Sequence, residues 1–169
     1  SGNGRVPIAI IITENPNELK ISKLIYHYIN NGKKVGIVTN NAVFINHQKI
    51  QDNKKIIYNK IQSTILDKNI DYLIIITGCN QDLLKFGFPI DRFDCLCVDT
   101  KVTSSQNKIL SRLINYSLFD IALNKKLKNS NFLEMTKKVK LYEDLNLFLI
   151  DNMKNYNDYH RNKKIEISA

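Results

Sequence analysis

The hydrophobic pattern opens with an unbroken run, Val6 to Thr13 (V-P-I-A-I-I-I-T), as expected of a strand covered on both faces. Pro7 sits near its start, where a missing N–H is tolerated. Asn15-Pro16-Asn17-Glu18 then reads as a helix start. Asn15 caps, Pro16 takes the first helical position and Glu18 bonds back to the cap. Leu19, Lys20, Lys23, Leu24, His27 and Tyr28 carry helical spacing to Asn31, and Gly32 stops it. Lys34 to Thr39 is a second strand. Ala42 to Ile50 predicts a hairpin turning near Asn46-His47. Lys54 to Lys68 is amphipathic, with Ile57, Ile61 and Ile65 on one stripe. Asp71 to Thr77 is a third buried strand, Gln81 to Phe86 a short helix and Phe93 to Asp99 a fourth strand. Gln106 to Tyr116 is helical with Leu110, Leu113 and Ile114 inward, Ser117 to Asn124 a strand, and Phe132 to Lys140 a helix. Leu145 to Ile150 is apolar but short. The tail beyond it is rich in Asn and Lys, with Ile165 to Ile167 either a last edge strand or disordered.

Strand and helix alternate at lengths that suit βαβ crossovers. The expected fold is therefore α/β, a mostly parallel sheet flanked by helices on both faces, with a hairpin near residues 42–50. Residues 3–169 are expected to form one domain, and Ser1 and Gly2 read as a cleavage scar. Ligands of such folds bind at the carboxyl ends of strands, next to helix N-termini. The turn after the first strand is thus where chemistry is sought.

Composition adds limits rather than a function. Hydrophobic residues make up 43% and charged residues 24%, enough for a core under an ordinary soluble surface. There is no run of about 18 apolar residues and no charged-then-apolar leader, so a cytoplasmic protein is expected, with no membrane partner. The net charge of +9 comes almost wholly from lysine. The lysines are scattered, which reads as a solvated surface, and nucleic acid is not the expected partner. Cys95 and Cys97 alternate within an apolar run and should share one strand face; with Cys79 they read as structural thiols.

Several segments resemble the Mur-ligase-like domain of cyanophycin synthetases. Asn3 to Ile8 resembles the lead-in to that domain, and Lys23-Leu24-Ile25-Tyr26-His27 its first helix. Lys34 to Thr39 and Val43-Phe44-Ile45-Asn46 resemble its second strand and hairpin, and Ile90 to Val98 its Phe-Asp-Arg-Cys-Asp strand. The resemblance covers roughly residues 3 to 100 and stops near residue 105. It implies an ATP-grasp domain upstream and a parent enzyme that forms amide bonds with ATP. In ordinary members the Mur-like half adds arginine; a shortened branch joins preformed β-aspartyl-arginine dipeptides and carries a degenerate Mur-like half. The resemblance is to the second situation. No C-terminal ligase lobe, the usual second wall of the amino-acid site, is expected to follow.

Family members with a working site carry T-G-T-N-G-K-T-T after the first strand, whose amides and lysine hold phosphates and whose hydroxyl holds Mg²⁺. Here the corresponding run is Thr13-Glu14-Asn15-Pro16-Asn17-Glu18-Leu19-Lys20. Glu14 and Asn17 stand for the two glycines, Pro16 removes an N–H, Glu18 replaces the lysine and Leu19 the hydroxyl. An ammonium about 4 Å from a phosphate oxygen gives roughly −4 kcal/mol at an effective dielectric near 20, and a carboxylate a similar repulsion. Lys20 lies about 200° further around a helix and does not restore the charge. The family's magnesium-binding glutamate falls at Ile76, and its Asn-x-x-x-Asp-His run ends at Ser104 and Ser105. The resemblance therefore implies lost metal ligands at Leu19, Ile76 and Ser105, no catalytic residue, and no ATP or Mg²⁺. A catalytically inactive structural or oligomerising domain is expected, with the ATP-grasp domain and a second copy of the chain as partners. Two alternatives stay open: a ligase with a rebuilt nucleotide site, which would bind ATP and Mg²⁺, and a basic module for polyanions or nucleic acid.

Other constellations read as structural. His27 fits a core or boundary position, His47 a turn and His160 the polar tail. Asp91 and Asp94 suit strand entry rather than acid–base work. Ser104 and Ser105 suit helix capping. Tyr142, Tyr156 and Tyr159, with lysines nearby, match base stacking no better than packing.

Overall fold

The computed structural model describes residues 6–16, 19–51, 57–65, 69–79, 90–127 and 138–168. In chain order the elements are β1 (Ile8–Ile12), α1 (Ser22–Asn30), β2 (Val35–Thr39), β3 (Val43–Ile45), β4 (Gln48–Gln51), α2 (Ile57–Ile65), β5 (Tyr72–Thr77), β6 (Phe93–Val98), α3 (Asn107–Tyr116), β7 (Ser117–Asn124), β8 (Val139–Tyr142) and α4 (Leu145–Ser168). The described strands form one eight-stranded sheet in the order β4-β3-β2-β5-β1-β6-β7-β8. β1 lies between β5 and β6, parallel to both. Parallel pairing continues to β2 on one side and to β7 and β8 on the other. The β3–β4 hairpin is added antiparallel to β2 and turns at Asn46, whose φ of 56° matches a tight hairpin turn. The expected α/β architecture is present.

Alternation along β1 builds two cores. Ile8, Ile10 and Ile12 face one layer with Leu73, Leu96 and Val98, where they meet Ile57 and Ile61 of α2 and Ile109, Leu110 and Leu113 of α3. Ala9 and Ile11 face the other with Ile74, Ile76, Cys95 and Cys97, against Leu24 and Ile25 of α1 and Leu149 and Met153 of α4. Residues with no outward face must be apolar on both sides, which explains the unbroken hydrophobic run. α2 packs so near β2 that a Cβ on Gly36 would lie 3.2 Å from both Thr64 Cγ2 and Ile70 Cδ1. Gly32, at φ 70°, closes α1 by donating its N–H to Ile29 O at 3.0 Å.

The structure corrects three expectations. First, α1 begins at Ser22 and not at Asn15-Pro16. Its N-cap is Ile21, which has no side-chain oxygen. The cap comes through space from α4: Asn146 Oδ1 accepts the Leu24 N–H at 3.1 Å, and Asn146 Nδ2 donates to Lys20 O at 3.0 Å. Local spacing does not encode such a partner. Second, Val139 and Lys140 belong to strand β8, not to a helix, because β8 completes the sheet beside β7 with Val139 opposite Ile121. Third, the Asn- and Lys-rich tail is the helix α4, neither edge strand nor disordered. Leu145, Leu149, Met153, Tyr156 and His160 recur three or four residues apart and are all buried, while most of the polar residues between them face solvent. The helices expected at 81–86 and over 132–137 lie outside the described residues.

Candidate functional site

The chain passes from β1 to β2 on one side of β1, and from β5 to β6 on its other side, so the topological crevice opens at the carboxyl end of β1. Three exits converge there. Thr13, buried, donates its N–H to Thr77 O at 3.0 Å, and Asp99 donates its N–H to Ile12 O at 2.8 Å. From Thr13 the chain exposes Glu14 and Asn15, then turns Pro16 and Leu19 partly inward before Ile21 is buried. Asn17 and Glu18 lie outside the described residues.

Pro16, Leu19, Ile25, Ile37, Phe44 and Ile76 line a pocket of about 360 Å³ between this loop, α1, β2, β5 and the hairpin. Leu19 and Ile76, two of the positions where the resemblance implies lost metal ligands, thus line one pocket although 57 residues separate them. His47 and Lys49 stand at the pocket's rim. The His47 ring lies 4.6 Å from that of Tyr26. The third such position does not join them. Ser105 is exposed, and its hydroxyl meets Thr103 Oγ1 at 3.0 Å. Neither Ser104 nor Ser105 caps α3, whose N-cap is Gln106. The expectation of serine capping fails because Gln106 Oε1 accepts the Thr103 N–H, at 3.0 Å, and Thr103 O accepts from Gln106 and Asn107.

Two polar groups at this end were missed. Lys60 of α2 is fully buried and donates to Thr39 O at 3.1 Å and to Asn40 O, holding the carboxyl end of β2. Burial lowers its pKa below the ordinary lysine value. The signal was present, since Lys60 falls three residues after Ile57 and so on the buried stripe of α2. Asp99 accepts from Asn124 Nδ2 at 2.8 Å and from the Tyr142 hydroxyl at 2.9 Å, tying β6, β7 and β8 together. Burial, then Cys97 and Asp99 nearby, push the Tyr142 pKa up, so it stays a donor. Among the described residues, no group of three or more His, Cys, Asp or Glu gathers as a metal would require.

The chain is similar to a solved structure of UDP-N-acetylmuramoyl-L-alanyl-D-glutamate–2,6-diaminopimelate ligase, with a TM-score of 0.54 and 13% identity. The fold is Mur-ligase-like. The match covers 82% of this chain and 32% of the ligase, so the chain spans about a third of that enzyme's length. No protein-family model matches the chain, and no curated protein does.

The amino end of the sheet holds a different set of side chains. Asp94 is fully buried; its Oδ2 accepts the Ile8 N–H at 2.7 Å and its Oδ1 lies 2.7 Å from His160 Nε2. Beside it, Asp120 accepts from the Tyr156 hydroxyl and pairs with Lys140 Nζ at 2.7 Å. His160 and Tyr156 come from α4, so neither belongs to a loose polar tail. His27 is exposed near the end of α1, at odds with the core or boundary position expected for it, and His47 is exposed in the hairpin turn. Tyr142 and Tyr156 are buried and hydrogen-bonded, which removes them as base-stacking platforms. Cys95 and Cys97 do share one face, with sulfurs 3.6 Å apart, and burial raises the Cys97 pKa. Among the described residues, no helix is long and apolar enough to cross a membrane.

Proposed function

We propose that this is a non-catalytic Mur-ligase-like domain, a structural or oligomerising part of an ATP-dependent ligase of the cyanophycin-synthetase kind. The observation that carries the reading is the joint placement of Leu19 and Ile76 in one apolar wall at the carboxyl end of β1. Neither side chain can ligate magnesium, and burying a triphosphate's charge against such a wall is costly. A helix N-terminus is the usual seat for a phosphate, because its first amides lack partners. In α1 the Leu24 amide already has a partner in Asn146, and the exposed Glu14 adds negative charge to the approach. These features of the described residues speak against ATP and Mg²⁺ at this site. A scaffold role is supported by exposed apolar side chains at the opposite end: Phe119 and Tyr159 are 41% and 43% exposed, with rings 4.9 Å apart. On this reading the partners are an ATP-grasp domain of the same protein and a second copy of the chain.

Calorimetric titration of the domain with ATP and Mg²⁺ tests the reading. No heat of binding is expected through millimolar nucleotide. Micromolar binding would overturn it in favour of a rebuilt nucleotide site.

A further inference from the structure

We propose that a groove between α1 and α4, at the amino end of the sheet, binds a small ligand carrying a dianionic phosphate group. The groove encloses about 420 Å³ and lies on the far side of α1 from the apolar pocket. On α4, Ile150, Lys154, Asn157, Asp158 and Arg161 fall at helical spacing and so present one face to the end of α1. Tyr28 and Tyr72, stacked with centroids 4.4 Å apart, form the wall beneath them, and Lys33 closes the groove beyond α1.

Three observations point to an anion. Lys33, Lys154 and Arg161 all line the groove, and none forms an ion pair among the described residues. Against their three positive charges the described lining sets one carboxylate, Asp158, which leaves two positive charges unanswered. A phosphate monoester carries close to that charge at neutral pH. The third observation is the Tyr28 hydroxyl. Tyr28 is 4% exposed, and its oxygen is buried without a hydrogen-bond partner. Buried polar atoms are nearly always partnered, so an orphan hydroxyl on a residue that lines a cationic groove points to a missing acceptor.

The cations are not explained by the negative end of the α1 dipole. The last carbonyls of α1 are already taken: His27 O accepts from Asn31 Nδ2 at 2.8 Å, Tyr28 O from the Lys33 N–H at 2.8 Å and Ile29 O from the Gly32 N–H. Arg161 offers a planar fork suited to two phosphate oxygens, with the lysines as point charges. This site is independent of the scaffold reading, because it shares no residue with the carboxyl end.

The test is a titration of the whole domain with inorganic phosphate and with glycerol 3-phosphate, followed by backbone amide shifts. Saturable shifts are expected at Lys33, Lys154 and Arg161, weakening as salt rises. The pair K154A and R161A, both exposed positions, should lower affinity by about tenfold or more. Tyr28→Phe should lower affinity while leaving the unfolding midpoint unchanged or higher, since it removes no protein hydrogen bond. The proposal is overturned if no saturable shift occurs at the groove, if the cation variants bind as the parent does, or if Tyr28→Phe leaves affinity unchanged. Shifts confined to residues 13–24 would instead count against the scaffold reading and against this groove alike.

Discussion

At its carboxyl end β1 runs into Leu19 and Ile76, an apolar wall where the topology of an open parallel sheet keeps its ligands. At its amino end the same strand is held by Asp94, itself paired with His160, beside the Asp120, Tyr156 and Lys140 cluster. Polar atoms at the first end serve the fold too: Lys60 holds β2, and Asp99 ties three strands. The difference teaches that topology names the end where a fold of this kind places a ligand, while only side-chain chemistry says what that end can hold. Here Leu19 and Ile76 at the carboxyl end suit apolar contact, and Lys33, Lys154 and Arg161 stand at the other end, in the groove between α1 and α4.

If the amino end is a structural anchor, breaking it should have the largest effect on stability. Asp94→Ala strips a partner from the buried Ile8 N–H and from His160. A loss of about 3–5 kcal/mol is expected, as for a buried pair deprived of one member. Urea denaturation measures it, and a loss under about 1 kcal/mol would show that the anchor is dispensable. Lys60→Met tests the carboxyl end. It keeps the apolar stem but leaves Thr39 O and Asn40 O without their donor, for an expected loss of about 1–3 kcal/mol. The comparison with the parent should also depend on pH. Burial lowers the Lys60 pKa, so above that lowered value the folded state binds fewer protons than the unfolded state. The parent should therefore gain stability over Lys60→Met as pH rises from the lowered pKa towards 10.5, and hold a constant difference below it. A difference that stays flat up to that pH would mean that Lys60 is not desolvated.

Most of the sheet was legible because strands buried on both faces read as apolar runs; Ile8–Ile12 and the Tyr72–Thr77 strand up to Ile76 are continuous ones, and in Phe93–Val98 only Asp94 interrupts the run. The hairpin was legible because Asn46 tolerates a positive φ. What stayed hidden depended on distant partners. β8 has four residues, and its Tyr142 is fixed by Asp99, 43 residues away. α4 alternates its buried stripe with so many Asn and Lys residues that composition masked the period. In the candidate site, the residue types at Leu19 and Ile76 could be read, but their convergence on one pocket could not. Lys60 falls on the Ile57 stripe, but lysine is seldom fully buried, so spacing alone does not announce its burial.

The smallest expected effect belongs to Asn146, and it bears most directly on how the carboxyl end of β1 is closed. A residue preceding a helix normally supplies the oxygen that the first amides need, and Ile21 cannot. Asn146 supplies it from α4, so the entry to α1 is held by an element added 122 residues later in the chain. Asn146→Ala should cost about 1 kcal/mol, the usual worth of an N-cap. Hydrogen exchange should locate the loss at the Leu24 amide and its neighbours in the first turn of α1, with the amino end of β1 unchanged. Asn146→Asp should retain the bond to Leu24 and lose the donation to Lys20 O, giving an intermediate result. If Asn146→Ala instead loosened the Asp94 and His160 contacts as much as α1, the two ends of β1 would be one cooperative unit, and the contrast between them would be chemical but not energetic.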